Sequence, residues 1–308
     1  MLFIELENKM KKIYQIKNLI KTKNIIFYIF YKLTNNNIKK DYYLEIIDYK
    51  EKKEARKILK QINKKNYFEK KNKINESVVE DENVWFCWLQ GLENAPIIVQ
   101  ECYKSIVNNF DKVIVIDKNN IGEYILLPEY IYDKWNNGII SNAHFSDLIR
   151  LELLNRYGGL WVDSTVYITN NSFYVEKCKN TNLFFLTNEY QNENDLSKIS
   201  NWLLYSKTGN KTLNQLENIL LEYWKLYNYP ISYFIFHVAF SICLNLNDDF
   251  ITTPNNMGLL LQRCIKDDQS FYIYSDVLKS SDYHKLNHRM NNESFIKFLH
   301  ICEEKSNE

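Results

Sequence analysis

The stretch Phe145–Val166, FSDLIRLELLNRYGGLWVDSTV, decides the fold class of this chain. Apolar side chains recur at helical spacing as far as residue 157, and the pair Gly158 and Gly159 then ends the predicted helix. The run of residues 160–162 is short, continuous and apolar, which is typical of a buried strand. The stretch therefore predicts a helix, a tight turn and a strand that stops at Asp163.

Similar patterns on both sides of this stretch predict a sheet covered by helices. The other predicted strands are Val84–Leu89, Val113–Asp117 and Asn182–Thr187; a further helix is predicted over 95–110, and Ser141 or Asn142 can cap the helix that ends at residue 157. Strands that alternate with helices indicate an α/β fold with a mostly parallel sheet. Such sheets bind ligands outside the carboxyl ends of their strands, where Asp117 and Asp163 are predicted to lie.

The first 80 residues differ from the rest in charge. They contain 20 Lys and Arg against 10 Asp and Glu, a net charge of +10, so the remaining residues sum to −9 within a total of +1. Apolar spacing predicts one or two helices in 1–34 and another in 42–62, and the polar stretch 64–83 is typical of a linker. We therefore expect a basic helical extension, 1–80, followed by a main domain, 81–308.

A segment this basic fits three explanations: a partner surface of anionic lipid head groups, a nucleic acid, or a solvated lysine-rich helix face. The sequence has no recognised nucleic-acid-binding motif, so we expect no nucleic-acid partner. The first clean apolar run, Ile25–Tyr31, is too short to span a bilayer but can lie on a membrane surface. No secretory signal is evident, and the six cysteines lack metal-ligand spacing. We expect buried thiols and a cytoplasmic protein, peripheral at the inner face of the cell membrane where the basic segment binds lipid.

Several motifs together are more specific than any one of them. Besides the stretch quoted above, they are Trp85–Gly91 (WFCWLQG), Ala95–Pro96, Leu127–Tyr130 (LPEY) and His284–Leu286 (HKL). Together they resemble the capsular polysaccharide synthesis protein group of GT-A glycosyltransferases, which is similar to glycosyltransferase family 32 and to the catalytic domain of large clostridial glucosylating toxins. The resemblance spans residues 84 to about 290.

The resemblance implies a GT-A fold, a Rossmann-like nucleotide-sugar-binding architecture, preceded by the helical extension. It implies a glycosyltransferase that moves a sugar from a nucleotide-sugar, a UDP-sugar by expectation, to a saccharide acceptor in capsular or surface polysaccharide synthesis. The acceptor can be lipid-linked, and relatives in family 32 and the toxins retain the anomeric configuration. Two alternatives stay open: a toxin-like protein glycosyltransferase, and a non-catalytic module that binds nucleotide-sugar or glycan.

The resemblance also implies a set of site residues. The donor would be held by Trp88, Gln90, Asp147, Arg150, Asp163, Thr165, His284 and Lys285, of which Asp147, Arg150 and Asp163 are the expected catalytic residues. Trp88 would stack on the nucleobase, which is worth ~1–3 kcal/mol, while Trp85, three positions earlier on the strand, points to the opposite face. Asp147 and Arg150 would bind hydroxyls of the donor, and Lys285 would lie over its phosphates.

The sequence departs from the family at the expected metal site. The family's DxD motif holds Mn²⁺ or Mg²⁺ with two carboxylates, but here the motif runs Asp-Ser-Thr from Asp163 to Thr165. Three outcomes are open: His284 or Asp282 completes the site, the metal binds weakly through the diphosphate, or cationic side chains replace it. We expect a weakly held metal on Asp163 and His284.

His237 lies in the apolar, helix-like run 233–238. A histidine in such a run is more typical of a core position than of a binding site. The family has an aromatic-rich helix here, near the acceptor, so His237 is kept as a secondary site candidate.

Overall fold

The computed structural model describes residues 16, 19–66, 82–188, 198–244, 249–255, 257–266 and 269–305. Within these ranges the helices are α1 (Ile25–Leu33), α2 (Asn37–Asn66), α3 (Ile97–Val107), α4 (Ile121–Tyr124), α5 (Glu129–Asn136), α6 (Asn142–Tyr157), α7 (Lys211–Leu226), α8 (Ile235–Cys243), α9 (Met257–Lys266), α10 (Gln269–Ile273), α11 (Ser275–Ser280) and α12 (Asn292–Lys305), with a 3-10 turn at Leu92–Asn94 and a π-helical turn at Tyr174–Cys178. The strands are β1 (Val84–Cys87), β2 (Val113–Ile116), β3 (Gly159–Val162), β4 (Val166–Ile168), β5 (Leu183–Thr187), β6 (Ile199–Ser206), β7 (Ile251–Pro254) and β8 (Tyr283–Lys285). The first 15 residues and most of the predicted linker 64–83 lie outside the described residues.

Six strands form the central sheet, in the order β2-β1-β3-β6-β5-β7. β1 pairs in parallel with β2 and β3, and β5 pairs in parallel with β7, while β6 is antiparallel to both of its neighbours. Five of the six strands therefore point the same way. The prediction of an α/β fold with a mostly parallel sheet is confirmed, and the architecture is GT-A-like.

The sheet brings the predicted site residues to one edge. β1 and β3 are buried along their whole length and lie side by side, with Trp85 opposite Trp161. Because the two strands are parallel, the residues that follow them, Trp88 and Asp163, emerge at the same end of the sheet. This arrangement explains the continuous apolar runs in the sequence, since both faces of these strands are covered.

Each face of the sheet packs into its own core. Alternate residues separate the two: Trp85 and Phe185 enter the larger cluster, which helices α2 and α5–α8 complete, whereas Phe86 and Phe184 enter the smaller one beside α3. Helix α2 contributes Ala55, Ile58, Leu59 and Ile62 to the larger cluster. A third cluster joins α9–α12 to α3, which contributes Ile98 and Cys102.

A second, two-stranded sheet pairs β4 with β8 next to the Asp-Ser-Thr motif. The strands are antiparallel, with Val166 opposite Lys285, and the backbone N–H of Leu286 donates to the carbonyl of Thr165 at 2.8 Å. A segment from near the C-terminus is thereby fixed beside residues 163–165.

Helix α1 presents several apolar side chains to solvent. Ile26 is 63% exposed and Leu33 75% exposed, and none of the helix's residues is buried. None of the helices in the described ranges has the length and apolar character needed to cross a bilayer. All six cysteines are buried without disulfides, as the sequence predicted.

Candidate active site

Asp163 occupies the centre of the site, directly after β3. Its Oδ1 accepts hydrogen bonds from Nη2 of Arg150 at 2.9 Å and from Nε1 of Trp161 at 2.8 Å, and its Oδ2 accepts one from Nζ of Lys285 at 2.8 Å. Its backbone N–H donates to the carbonyl of Trp202 on β6. Backbone and side chain are therefore both fixed, and the carboxylate has little freedom to reorient.

Arg150 joins the two carboxylates of the site. It lies on α6, one turn after Asp147, and its Nη1 donates to Oδ1 of Asp147 at 2.9 Å. The guanidinium is buried, with its centre 4.8 Å from the ring of Trp161 and 5.4 Å from the ring of Phe236. The residues of the sequence motif thus meet as predicted, but Arg150 is enclosed by protein and holds the carboxylates rather than facing open space.

Helix α6 places this pair because both of its ends are fixed. The hydroxyl of Ser141 accepts the backbone N–H of His144, which is the predicted N-cap. At the other end Gly158 and Gly159 both have positive φ, 65° and 98°, and turn the chain into β3. The spacing from Asp147 to Arg150 then puts both side chains on one helix face.

Lys285 closes the site from the other side. Its ammonium nitrogen lies 2.8 Å from Oδ2 of Asp163 and 2.8 Å from the hydroxyl oxygen of Thr165. The lysine side chain is 24% exposed and lines a cleft. The structure therefore brings together Asp163, Thr165 and Lys285, three of the residues predicted to hold the donor.

The two carboxylates titrate in opposite directions. Burial would raise the pKa of Asp163, but Lys285 and Arg150 more than offset it and lower that pKa to about 2. Burial dominates at Asp147 and raises its pKa to about 7, although Arg150 acts in the lowering direction. Asp163 is therefore a permanent anion, whereas Asp147 gains or loses a proton near neutrality.

Asn201 is a site residue that sequence reasoning missed. Its amide Nδ2 donates to Oδ1 of Asp147 at 2.9 Å, the same oxygen that Arg150 contacts. Within the described ranges no side chain bonds to Oδ2 of Asp147, which leaves that oxygen for a ligand hydroxyl. Asn201 lies on β6, and no local sequence motif around it predicts its contact with Asp147.

The two predicted tryptophans take different positions. Trp85 is buried and donates from Nε1 to the carbonyl of Gly158 at 2.8 Å, as expected of a core residue. Trp88 is half-buried just after β1, and its ring centroid is 6.3 Å from that of His288. Gln90 is exposed in the turn that follows. Both residues follow β1 at the carboxyl end of the sheet, and their contact with a nucleotide stays a prediction.

His284 does not join the site. It is fully buried, and its ring packs edge-on against Phe298 with centroids 5.1 Å apart. Neighbouring residues of a strand point to opposite faces, so the side chain of His284 turns away from Asp163 while that of Lys285 turns towards it. The expectation that His284 ligates a metal with Asp163 is corrected for this reason.

The donor set at Asp163 does not fit a divalent metal. Both carboxylate oxygens already accept hydrogen bonds, and the Lys285 ammonium occupies the space between Asp163 and Thr165. Asp282, the other suggested ligand, accepts from the hydroxyl of Ser172 at 2.6 Å. In the described part of the chain no three His, Cys, Asp or Glu side chains are grouped so that they could hold a metal ion.

A cleft of about 320 Å³ opens beside Lys285. It is lined by Thr165, Tyr233, Gly258, Leu261, Ile265, Lys285, Leu286, Asn287 and His288. Tyr233 is 66% exposed at its rim. Neither Tyr233 nor His288 was predicted as a site residue, although Tyr233 begins the run that contains His237 and His288 follows the motif His284–Leu286 by two residues.

His237 lies on α8, close to the charged network. Its pKa falls to about 3, first because of burial and then because of the nearby cations Arg150 and Lys52. Lys52 comes from α2 and lies over the ring of Phe234 at 4.4 Å. The basic N-terminal helix therefore reaches the edge of the site.

Asp117, the other carboxylate predicted at the ligand end of the sheet, has a local role. Its Oδ1 accepts the backbone N–H groups of Asn119 and Asn120 at 2.7 and 3.1 Å. The side chain therefore closes the turn after β2.

Comparisons with known proteins identify relatives of this chain. A family model described as capsular polysaccharide synthesis protein matches residues 32–301. That range begins within α1 and includes α2, whereas the resemblance seen in the sequence began at residue 84.

The chain is 30% identical over 105 residues to "O-glycosyltransferase braB" of Annulohypoxylon truncatum and 34% identical over 95 residues to "Glycosyltransferase afumC" of Aspergillus fumigatus. These alignments cover 30% and 27% of the chain, and 24% of each relative. The matched part of the chain thus spans about a quarter of the length of either relative.

Proposed function

This chain belongs to the capsular polysaccharide synthesis protein family, and from that premise we propose that it is a glycosyltransferase that uses a nucleotide-sugar donor. The donor is a UDP-sugar and the acceptor is a saccharide of a capsular or surface polysaccharide, lipid-linked during synthesis. The two relatives named as glycosyltransferases support the reaction class. The observation that carries the proposal is the hydrogen-bonded network of Asp147, Asp163 and Lys285 around the buried Arg150, at the carboxyl end of β3.

Each residue has a role that its environment supports. The half-buried indole of Trp88 stacks on the nucleobase, with the exposed Gln90 beside it. The open oxygen of Asp147 accepts a sugar hydroxyl. Arg150 is a positioning residue, because its two Nη atoms hold Asp147 and Asp163. Lys285 contacts the diphosphate with the part of its ammonium that faces the cleft.

We propose that the transfer retains the anomeric configuration. The bond between the sugar's anomeric carbon and the diphosphate oxygen breaks, and the acceptor hydroxyl oxygen bonds to that carbon on the same face. The acceptor's proton passes to the departing diphosphate, so no separate base is needed. Lys285 stabilises the charge that develops on the leaving group. An anomeric proton coupling in the NMR spectrum of the product that reports the inverted configuration would contradict the retaining mechanism.

Nucleotide release from a panel of UDP- and GDP-sugars tests the proposed activity. We expect release from one donor by the wild-type protein and a loss of at least ~100-fold in Asp163→Asn, which removes the charge at the centre of the site. Asp133→Asn, an exposed aspartate on α5, is the matched control and should keep full activity.

No release from any donor, with or without saccharide acceptors, would contradict the glycosyltransferase. Calorimetric titration with UDP and GDP then separates the alternatives. Binding without turnover would identify a non-catalytic module that binds nucleotide-sugar, the alternative that the incomplete DxD motif favours. Activity on protein side chains alone would favour the toxin-like alternative.

We also propose that the N-terminal helices dock on an anionic membrane from the cytoplasmic side. Helix α1 exposes Ile25, Ile26, Ile29, Phe30 and Leu33. Beside it lies a groove of about 840 Å³ whose lining includes six lysines and one arginine but a single acid, Glu54. Apolar side chains next to a cationic surface are complementary to an anionic bilayer rather than to a neutral one.

Sedimentation with lipid vesicles tests the docking surface. The wild-type protein should bind phosphatidylglycerol vesicles and not phosphatidylcholine vesicles. The pair Ile26→Glu and Leu33→Glu should reduce binding ~10-fold or more, since each change puts a charge where an apolar group would enter the interface. Ile296→Glu, also exposed but on α12, is the control. Equal binding by both variants would exclude α1 as the contact.

A further inference from the structure

The ammonium of Lys285 lies between the two side chains that the DxD motif would use for a metal. It is 2.8 Å from Oδ2 of Asp163 and 2.8 Å from Oγ1 of Thr165. The resemblance to the family implies a complete motif with carboxylates at both positions, which would hold a divalent cation. Here the second carboxylate is a hydroxyl, and a lysine joins the pair instead.

The fold builds this lysine into place. Lys285 is the last residue of β8 and lies opposite Val166, and the strands continue to a hydrogen bond from Leu286 to Thr165. Because β4 follows the motif directly, the same strand pairing that orders residues 163–165 also delivers the ammonium to them. Gly258 on α9 lies behind the lysine, where an added Cβ would be 3.8 Å from its Cγ.

The charges balance in both arrangements. With Arg150 and Asp147 set aside, since both arrangements share them, two carboxylates and a dication sum to zero, and so do one carboxylate, Asp163, and one ammonium, Lys285. A dication added to the present set would lie close to the ammonium and would face one carboxylate whose two oxygens are already hydrogen-bonded. Replacement of the second Asp by Thr and provision of Lys285 therefore compensate each other.

An ammonium has three N–H groups, and two of them are used by Asp163 and Thr165. The third remains for a ligand oxygen, and Lys285 lines the cleft of about 320 Å³. We propose that the Lys285 ammonium replaces the divalent cation, so that this chain binds the diphosphate of a nucleotide without a metal. The proposal rests on the proposed use of a nucleotide-sugar donor, and it replaces the weakly held Mn²⁺ or Mg²⁺ expected from the Asp-Ser-Thr sequence.

Titration calorimetry of the wild-type protein with UDP and with GDP tests the inference, once in EDTA and once in Mn²⁺. The expected result is one nucleotide that binds with the same Kd, within about twofold, in both buffers. Tenfold or greater weakening in EDTA would overturn the inference while leaving the proposed donor intact. If neither nucleotide binds in either buffer, the proposed donor fails and the inference fails with it.

Variants then test the lysine itself. Lys285→Ala should weaken nucleotide binding in EDTA ~10-fold or more, because it removes a charge-assisted hydrogen bond, whereas Lys207→Ala, an exposed control, should not. The double variant Lys285→Ala with Thr165→Asp restores two carboxylates and should bind Mn²⁺, measured as loss of the free-ion EPR signal. If Lys285→Ala binds the nucleotide as tightly as the wild-type protein, or if the double variant binds no Mn²⁺, the proposal that Lys285 replaces the metal is wrong. The calorimetry of the wild-type protein in EDTA and in Mn²⁺ tests the proposal even if neither variant folds.

Discussion

At the scale of single residues, Arg150 sets the geometry of the site. It contacts Asp147 within its own helix and Asp163 on the next element, and both contacts are 2.9 Å long. Burial of a guanidinium is costly unless carboxylates pair with it, so the removal of either partner would be destabilising. This explains why the motif needs Asp, Arg and Asp at their particular spacings.

The raised pKa of Asp147 predicts a pH-dependent difference between the wild-type protein and Asp147→Asn. The pKa is about 7 in the folded state against an ordinary value of 3.8, because burial disfavours the charged form. Between these two values the folded state binds more protons at this group than the unfolded state does, so its contribution to the free energy of unfolding falls as pH rises. Asp147→Asn lacks this contribution.

Urea denaturation at several pH values measures this effect. The free energy of unfolding of the wild-type protein should fall relative to that of Asp147→Asn as pH rises from about 4 to about 7. Asp163 does not confuse the comparison, since its pKa is lowered to about 2 and it titrates below this window. Parallel curves for the two proteins would mean that Asp147 is already ionised in the folded state at pH 5.

The sequence predicted the pairing of Asp147 with Arg150, because residues three apart share a helix face. It also placed Asp163 and Lys285 near the donor through their motifs. It did not predict Asn201, whose position depends on the register of β6, nor the direction of His284, which depends on which face of β8 meets Phe298. Both require knowledge of which strands pair, and local patterns do not contain it.

At the scale of secondary structure, the turn at Gly158 and Gly159 links the helix and strand of the motif. Gly159 has a φ of 98°, and a Cβ added there would collide with the backbone carbonyl of Asn83 on the neighbouring segment. The backbone of Leu160 donates to that same carbonyl at 2.8 Å. The close approach of the two segments therefore depends on the absence of a side chain at residue 159.

Gly159→Ala should therefore destabilise the protein by more than ~2 kcal/mol, since it adds both left-handed strain and a clash with backbone. Chemical denaturation measures the loss. Gly122→Ala is the matched control, because nothing lies within 4 Å of its added Cβ and it is in a helix, where Ala is favoured over Gly by ~0.5–1 kcal/mol. A loss below ~1 kcal/mol for Gly159→Ala would contradict this account of the turn.

The elements that the sequence predicted best are those with the strongest patterns. The predicted strands that begin at 84, 113, 160 and 182 correspond to β1, β2, β3 and β5, and each predicted end lies within two residues of the observed end. The antiparallel strand β6 was missed, and so was the short sheet of β4 and β8. Residues 202–205 of β6 form a continuous apolar run, but a run of that kind does not distinguish a strand from a buried helix.

At the scale of the whole molecule, helix α2 packs against the core on one face of the sheet. α2 places Ala55, Leu59 and Ile62 in the same cluster as Trp161 and Phe236, which flank Arg150. The family match, which begins at residue 32, also includes this helix. The boundary at residue 80, predicted from charge and polarity alone, stays a prediction about domain organisation.

If α2 folds as one cooperative unit with the sheet, Leu59→Ala should destabilise the entire protein. Leu59 is completely buried, so its truncation should cost ~2–5 kcal/mol. Leu44→Ala, at an exposed position of the same helix, should cost less than ~0.5 kcal/mol. Circular dichroism and tryptophan fluorescence should report one coincident transition, shifted to lower urea in Leu59→Ala.

Every tryptophan lies after residue 80, so fluorescence follows the main domain alone. A fluorescence transition that Leu59→Ala leaves in place, with only the helical signal lost earlier, would instead make the extension a separately folding unit. The basic surface would then belong to a separately folded extension rather than to the main domain.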